Sequence, residues 1–557
     1  MASYNYPKRL NSPITNNSLK PNSQIGIKEI LFLSGILSWT SIGYILGKIL
    51  SSSRSKTHIG NTFFLAVITI GLIISGLSNN LDTFSVKTFG CYVFVMWLVA
   101  FDCRRQQFYA NMTIHFANST YLGPASYFFY IHNYPNFLQN PQFWLRISPS
   151  APTAFNMLLL CLLFQNLGYY FLGNYLHTIF PGLKQWSLSS RNLVNLLFIK
   201  TKIDQLKFFL LFASIGLVPF IVSAITGRFF YINAQDAGGS GPSFIIASLF
   251  AQFSPLFNVA WFYGIASSWF RVSAPSLQKE RIKWKANPPM TALSWCLIGL
   301  NFIYQLISGS KGRFLGFVIL PLATVYFFTR QRISWLIFNI GVFIGGLSWI
   351  VIYPIMVNYR SLITTIGVGR GAKIQDLLSM AWNNLNLLSW EDYQTIIFTP
   401  FNNSGIAEHV VAMTSIVYYS VQQPAELLWQ RLLLFWVPRF IWPDKPTILS
   451  GNLIGRLSGR LAEQDYVTSV VFPSSAELFL YLGLTGSILM ILPGLLMRWF
   501  NDSTSPFIIF TPARLAIYFA YLATLSDFVF ANFQSGIAGI VMQLSVLYIT
   551  LYMVKVL

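Results

Sequence analysis

Long apolar runs separated by short polar segments set the rhythm of this chain. A helix that crosses a bilayer needs about 20 mostly apolar residues. Runs near that length occupy 30–49, 62–77, 86–101, 153–180, 208–226, 243–270, 291–308, 314–329 and 333–357. After a long interruption the pattern resumes over 476–496, 512–530 and 536–556. A further run, around 121–131, sits in a Pro/Asn-rich stretch and leaves the number of crossings at about 11 to 13. The pattern predicts an all-α polytopic membrane protein of about 12 transmembrane helices. Residues 1–28 are polar and rich in Asn, Ser and Pro, which predicts a disordered tail. Spans are expected over 29–357, a long loop over 358–474, and the last spans over 475–557. No cleavable signal is recognisable before the first apolar run, which reads as a retained span.

Composition sharpens this picture. Of 557 residues, 54% are hydrophobic and 10% charged, against about 25% charged in an ordinary soluble protein. That excludes a soluble enzyme, a disulfide scaffold and a disordered chain. The formal net charge is +20, which in a soluble protein would suggest nucleic acid. In so apolar a chain it reads instead as basic residues gathered at cytoplasmic span ends and against anionic headgroups. Cys91, Cys103, Cys161 and Cys296 are scattered, so neither a metal site nor a disulfide framework is indicated. No GxxxxGK[ST] or HExxH occurs, and the alternating glycines of TIGVGRGAK stand outside any strand–helix unit. No metal, cofactor or nucleic acid is expected.

The basic loops give an orientation. Lys184, Arg191, Lys200, Lys202 and Lys207 lie in one inter-span segment, and Arg271, Lys279, Arg281, Lys283 and Lys285 in another. Arg330 and Arg332 occupy a tight turn, and Arg498 follows a span. Counting spans places all four groups on one side, the cytoplasm. The loop 358–474 and the Gly309–Arg313 turn then lie outside, with the C-terminus inside.

The long loop carries the candidate chemistry, since a connection of that length is usually functional. It contains the apolar stretch Val410–Val421 and the amphipathic run ELLWQRLLLFWVPRFIW over Glu426–Trp442. That run is short for a crossing and rich in Trp and Arg, which predicts interfacial or re-entrant helices. Outside loops are poor in Lys and Arg unless those residues have a task. Yet this one holds Arg360, Arg370, Lys373, Arg431, Arg439, Lys445, Arg456 and Arg460, with Lys311 and Arg313 in the neighbouring turn SGSKGRFLG. The guanidinium fork suits phosphate and pyrophosphate, so an anionic lipid-linked ligand at the outer face is the simplest task. In VPRFIWPDKP, Pro438, Pro443 and Pro446 stiffen the chain around Arg439 and Lys445. In PSSAELFLYLG, Glu477 lies at the outer end of a span, where a carboxylate serves either an ion pair or catalysis. His409 in AEHVV is a candidate general base or a structural histidine.

SGSKGRFLG opening a span, the long outside loop, VPRFIWPDKP and then SSAELFLYLGLTG together resemble the Wzy-type O-antigen or oligosaccharide repeat-unit polymerases, over roughly residues 290–500. The resemblance implies an inverting glycosyltransferase in a bacterial inner membrane, active at the extracytoplasmic face. It would move a growing glycan from an undecaprenyl-pyrophosphate carrier onto a lipid-linked repeat unit, with no nucleotide sugar and no metal. Membrane lipids, a chain-length regulator and a flippase are the partners it implies. Arg313, Arg439, Lys445, Arg360, Arg370 and Lys311 are then the expected pyrophosphate contacts, and Glu477 or His409 the expected base. Lys311 stands where such turns often carry arginine, and a lysine lacks the bidentate fork. An O-antigen-ligase-like transferase remains open beside the polymerase. A transporter is the non-enzyme alternative, expected to show internal repeats and charged mid-span residues, of which Asp527 is the nearest case.

Overall fold

The computed structural model describes residues 141–172, 202–225, 253–269, 288–308, 405–434, 450–457, 473–504, 512–530 and 533–556, with short pieces between 95 and 121 and between 354 and 384. The tail 1–28 and the predicted runs 30–49, 62–77 and 314–329 lie outside the described residues. All regular structure among the described residues is helical, with no strand. In chain order the helices are α1 (Pro141–Ile147), α2 (Ala151–Leu167), α3 (Lys202–Ile225), α4 (Ser254–Trp269), α5 (Pro288–Ser308), α6 (Gly405–Tyr419) and α7 (Ala425–Leu434). They continue with α8 (Ser450–Leu457), α9 (Ser474–Leu482), α10 (Thr485–Leu489), α11 (Ile491–Thr504), α12 (Pro512–Phe530) and α13 (Phe533–Val556). Among the described residues, two helical stretches, Gln142–Leu172 and Gln205–Val222, are long and apolar enough to cross a membrane.

The first of these begins earlier than the apolar run that predicted it. Pro149 and Pro152 cannot donate to an α-helical ladder. The chain passes them through a single 3-10 turn, Ser148–Ser150, that joins α1 to α2 without a change of direction in the backbone dihedrals. At its other end α2 widens into a π-helical turn, Gly168–Leu172. Such turns are uncommon and tend to mark functional positions.

The run 476–496, expected as one span, is built as three helices. Gly483 adopts φ 59°, ψ −140°, a conformation open only to glycine, and its N–H closes α9 on the Phe479 carbonyl at 2.8 Å. Gly486 then lies directly against the Leu478 carbonyl, where a Cβ would not fit. Four residues before Pro493, the Leu489 carbonyl faces the position that a proline ring blocks, and α10 ends there before α11 starts. The expected run 512–530 matches α12, and 536–556 is extended by three residues into α13.

Packing centres on α4, in which every residue from Pro255 to Ser267 is buried. A helix apolar on all sides must be enclosed by others, and α3, α5 and α12 enclose this one. Small residues set the distances: Gly216 of α3 lies on the Phe257 backbone, and Gly264 of α4 lies on the Ser294 hydroxyl of α5. Rings fill the space between, with Phe208 and Tyr263 centroids 4.6 Å apart and Phe220 and Phe257 4.8 Å apart. Parts of the outward faces are apolar: Leu293, Trp295 and Leu300 of α5 and Val541, Tyr548, Ile549 and Tyr552 of α13 are exposed.

Alongside this core, α2 and α11 run in parallel, interlocked by glycines. Gly168 lies against the Ile491 carbonyl and Gly494 against the Gln165 carbonyl. Close backbone approach of this kind replaces hydrophobic driving force where helices pack in an apolar medium. Gly494→Val is therefore expected to destabilise the protein by about 1–3 kcal/mol, read as a lower unfolding temperature of the purified protein in detergent. Ser420→Gly, which relieves a left-handed non-glycine residue at φ 49°, is expected to raise it by a gain of about 1 kcal/mol.

A buried carboxylate beneath the loop helices

The site is built around α9. Pro473 enters in an extended conformation at ψ 155°, and the Glu477 N–H donates to the Pro473 carbonyl at 3.1 Å to start the helix. Ser474, Ser475 and Glu477 in the first turn are all buried, Glu477 with no exposed surface at all. This turn is a favourable place for a carboxylate, because unpaired backbone N–H groups give the helix start a partial positive charge. The helix as a whole is enclosed by α2, α6, α7, α10, α12 and α13. Enclosing a carboxylate in this way is costly unless other groups satisfy it, and Glu477 does take part in interactions beyond its backbone bond.

Helices of the long loop form one wall of this enclosure. The stretch predicted as apolar, 410–421, is α6, and the amphipathic run that follows opens as α7. Between them the backbone turns at Ser420. The Val421 N–H returns to the Ile416 carbonyl and the Ser420 N–H to the Val417 carbonyl, each at 3.2 Å. This is a Schellman closure, with serine in the place that glycine usually takes. Two residues beyond Val421, the Gln423 N–H reaches across to the Leu480 carbonyl of α9 at 2.9 Å. The break at Gly483 deprives that carbonyl of its partner within the helix, so the loop turn caps α9 from outside. The Gln422 side-chain amide lies 3.2 Å from where a Cβ on Gly483 would stand, a second reason for glycine there.

Polar side chains line the same region. Thr414 and Ser415 of α6 are buried, as is Asn452 of α8, which packs against α6. Ser415 satisfies itself on the Val411 carbonyl at 2.7 Å. At the end of α6 beside this turn, Arg146 of α1 donates to the Tyr419 hydroxyl at 2.6 Å and lies over the Phe143 and Tyr419 rings. The loop hairpin is thus held at two points, on α9 and on α1.

Of the residues singled out from sequence, Glu477 is placed at the centre of this enclosure. His409 lies on α6, the helix that packs against α9, and its side chain is outside the described residues. Arg313, Arg439, Lys445, Arg360, Arg370 and Lys311 lie outside the described residues. Among the described residues, no group of three His, Cys, Asp or Glu side chains is placed to hold a metal ion.

Sequence reasoning passed over a second polar region. Asn118 and Asn166 exchange side-chain hydrogen bonds, at 2.8 and 2.9 Å, within the buried interior. Gln165 donates to Asn118 at 3.4 Å and accepts from the Tyr121 hydroxyl at 3.3 Å. One turn further along, the Tyr169 hydroxyl donates to Asn111 at 2.9 Å, and its ring lies under Arg498, which pairs with Asp502 at 3.0 Å. Tyr518 of α12 donates to Asn501 at 3.2 Å. The signal was there, in the pair Gln165–Asn166 interrupting an otherwise apolar run.

Glu477→Ala is expected to destabilise by about 1–3 kcal/mol by stranding the groups that now satisfy the carboxylate, and Glu477→Gln by less, measured as thermal unfolding in detergent. For Asn118 and Asn166, substitution of each by Leu and of both together is expected to show a coupling of about 1 kcal/mol. Additive losses would mean that the reciprocal bonds contribute nothing. In comparisons with known protein-family models, with curated proteins and with solved structures, the chain matches none.

Proposed function

We propose that this protein is a membrane glycosyltransferase of the repeat-unit polymerase kind, working on lipid-pyrophosphate-linked glycans at the extracytoplasmic face of a bacterial inner membrane. The observation that carries the reading is Glu477, a fully buried carboxylate on a helix that helices of the long loop cover on one side. Glu477 lies in SSAELFLYLGLTG, one of the motifs behind the resemblance to Wzy-type polymerases. The packing supports the assigned sidedness. Helix α6 of the long loop rests on Arg146 and the turn Ser148–Ser150, the amino end of a helix whose other end leads toward Lys184. The basic loops put Lys184 inside, which leaves α6 and its loop outside.

In this reading the donor sugar carries pyrophosphate at its anomeric carbon. The carbon–oxygen bond to pyrophosphate breaks while a hydroxyl of the acceptor sugar attacks from the opposite face. Its proton passes to Glu477, or to His409 on the adjoining helix. Arg313, Arg439 and Lys445, with Arg360, Arg370 and Lys311, hold the pyrophosphate as charge builds on it. Fixed charges of this kind lower the barrier by several kcal/mol. Twelve or so spans, a metal-free reaction and partnership with a flippase and a chain-length regulator belong to the same proposal. A ligase-like transferase using the same donor is the second reading, since Glu477 and its enclosure would serve either acceptor.

Extracellular glycan from a deletion strain complemented with wild type, Arg439→Ala or Arg313→Ala tests this. Wild type is expected to restore a ladder of lengths, and the variants, at equal membrane abundance, to leave a single repeat unit. If deletion leaves glycan length unchanged the polymerase reading is wrong; if both variants polymerise normally the pyrophosphate assignment is wrong.

A further inference from the structure

The Arg146 side chain stands apart from the catalytic reading. It is exposed, yet it is held by a hydrogen bond and two aromatic rings. One amino group donates to the Tyr419 hydroxyl at 2.6 Å, and its guanidinium carbon lies 5.4 Å from the Phe143 ring centre and 5.9 Å from that of Tyr419. A guanidinium has five N–H donors, and among the described residues Tyr419 uses one. No described carboxylate pairs with Arg146: the ion pair among the described residues is Arg498–Asp502. The result is a charged fork with donors to spare and no counter-charge among the described residues.

Its surroundings say which anion fits. Arg146 lies in the first turns of Gln142–Leu172, the longest apolar helical stretch among the described residues. Its neighbours Leu145 and Tyr418 are 52% and 39% exposed. Exposed Leu, Tyr and Arg at the end of an apolar helix belong at headgroup depth, where the apolar part meets acyl chains and the polar end meets phosphate. Arginine suits phosphate because its planar fork offers two parallel N–H bonds to two oxygens. Because the rings and Tyr419 already fix the side chain, little rotamer freedom is left to lose on binding.

We infer that Arg146, with Phe143 and Tyr419, forms a binding site for the phosphate of a membrane phospholipid headgroup, and that the bound lipid holds α6 against α1. This goes beyond the transferase reading and does not depend on it. A phosphate could also come from a polyprenyl carrier lipid, and the experiment separates the two sources.

Full-length protein, purified in detergent and delipidated, would be titrated with phosphatidylglycerol or with undecaprenyl phosphate, and lipid adducts counted by native mass spectrometry. Wild type is expected to retain a phosphatidylglycerol adduct that Arg146→Gln holds about tenfold to a hundredfold more weakly, the loss of one or two charge-assisted bonds. Arg146→Lys, which keeps the charge but not the fork, is expected to fall between them and guards against a folding defect in the first variant. Equal adduct affinity in wild type and Arg146→Gln overturns the inference. So does an Arg146-dependent adduct seen with undecaprenyl phosphate alone, which assigns the site to the carrier lipid.

Discussion

A single backbone hydrogen bond, from the Gln423 N–H to the Leu480 carbonyl, ties the long loop to the buried heart of the protein. It exists because α9 stops. Gly483 ends the helix after nine residues and leaves carbonyls without helical partners. In an apolar interior such a carbonyl must find a donor or lose several kcal/mol. The loop turn supplies that donor, and so fixes α6 and α7 over the helix that carries Glu477. Had the apolar run continued as one straight span, the loop would have had no such anchor, and Glu477 no reason to sit beneath it.

The same requirement explains the amide cluster beside α2. Asn118, Asn166 and Gln165 satisfy one another, and Tyr169 is shared between Asn111 and Arg498. Each bond between helices in an apolar medium is worth only about 0.6 kcal/mol on average, so these contacts fix register more than they supply stability. Register matters here, because Gly168 and Gly494 allow α2 and α11 to approach only at matched positions. Close glycine contacts and paired amides together hold α2 in place, and α2 in turn forms part of the wall around α9.

How legible this was depended on the physics involved. Helical class and the bounds of α12 followed from hydrophobic length, since a largely apolar run of 19 residues is too long for one strand and fits one helix. The same rule missed the three-way division of 476–496, because hydropathy averages over Gly483 and Pro493 while backbone sterics act at single residues. Helix α1 was missed for the opposite reason: polar Gln142 and Arg146 lowered its apparent hydrophobicity, although Trp144 and Ile147 are buried. Glu477 was legible as a carboxylate among apolar neighbours. Its enclosure by α6 was not, since that contact joins residues far apart in the chain. Arg146 escaped notice because a lone arginine has no signature until Tyr419 is brought beside it.

In the proposed mechanism Glu477 does chemistry rather than only filling its place. The most direct measurement is glycan extension by the purified full-length protein in liposomes, supplied with a lipid-pyrophosphate-linked repeat unit. Wild type would be set against Glu477→Gln, with unfolding temperatures measured in parallel. Glu477→Gln is expected to fold normally, retain the lipid-linked substrate and extend it at least about a hundredfold more slowly, the scale of one general base. Extension at the wild-type rate by a folded Glu477→Gln protein would contradict that mechanism and leave Glu477 a structural residue.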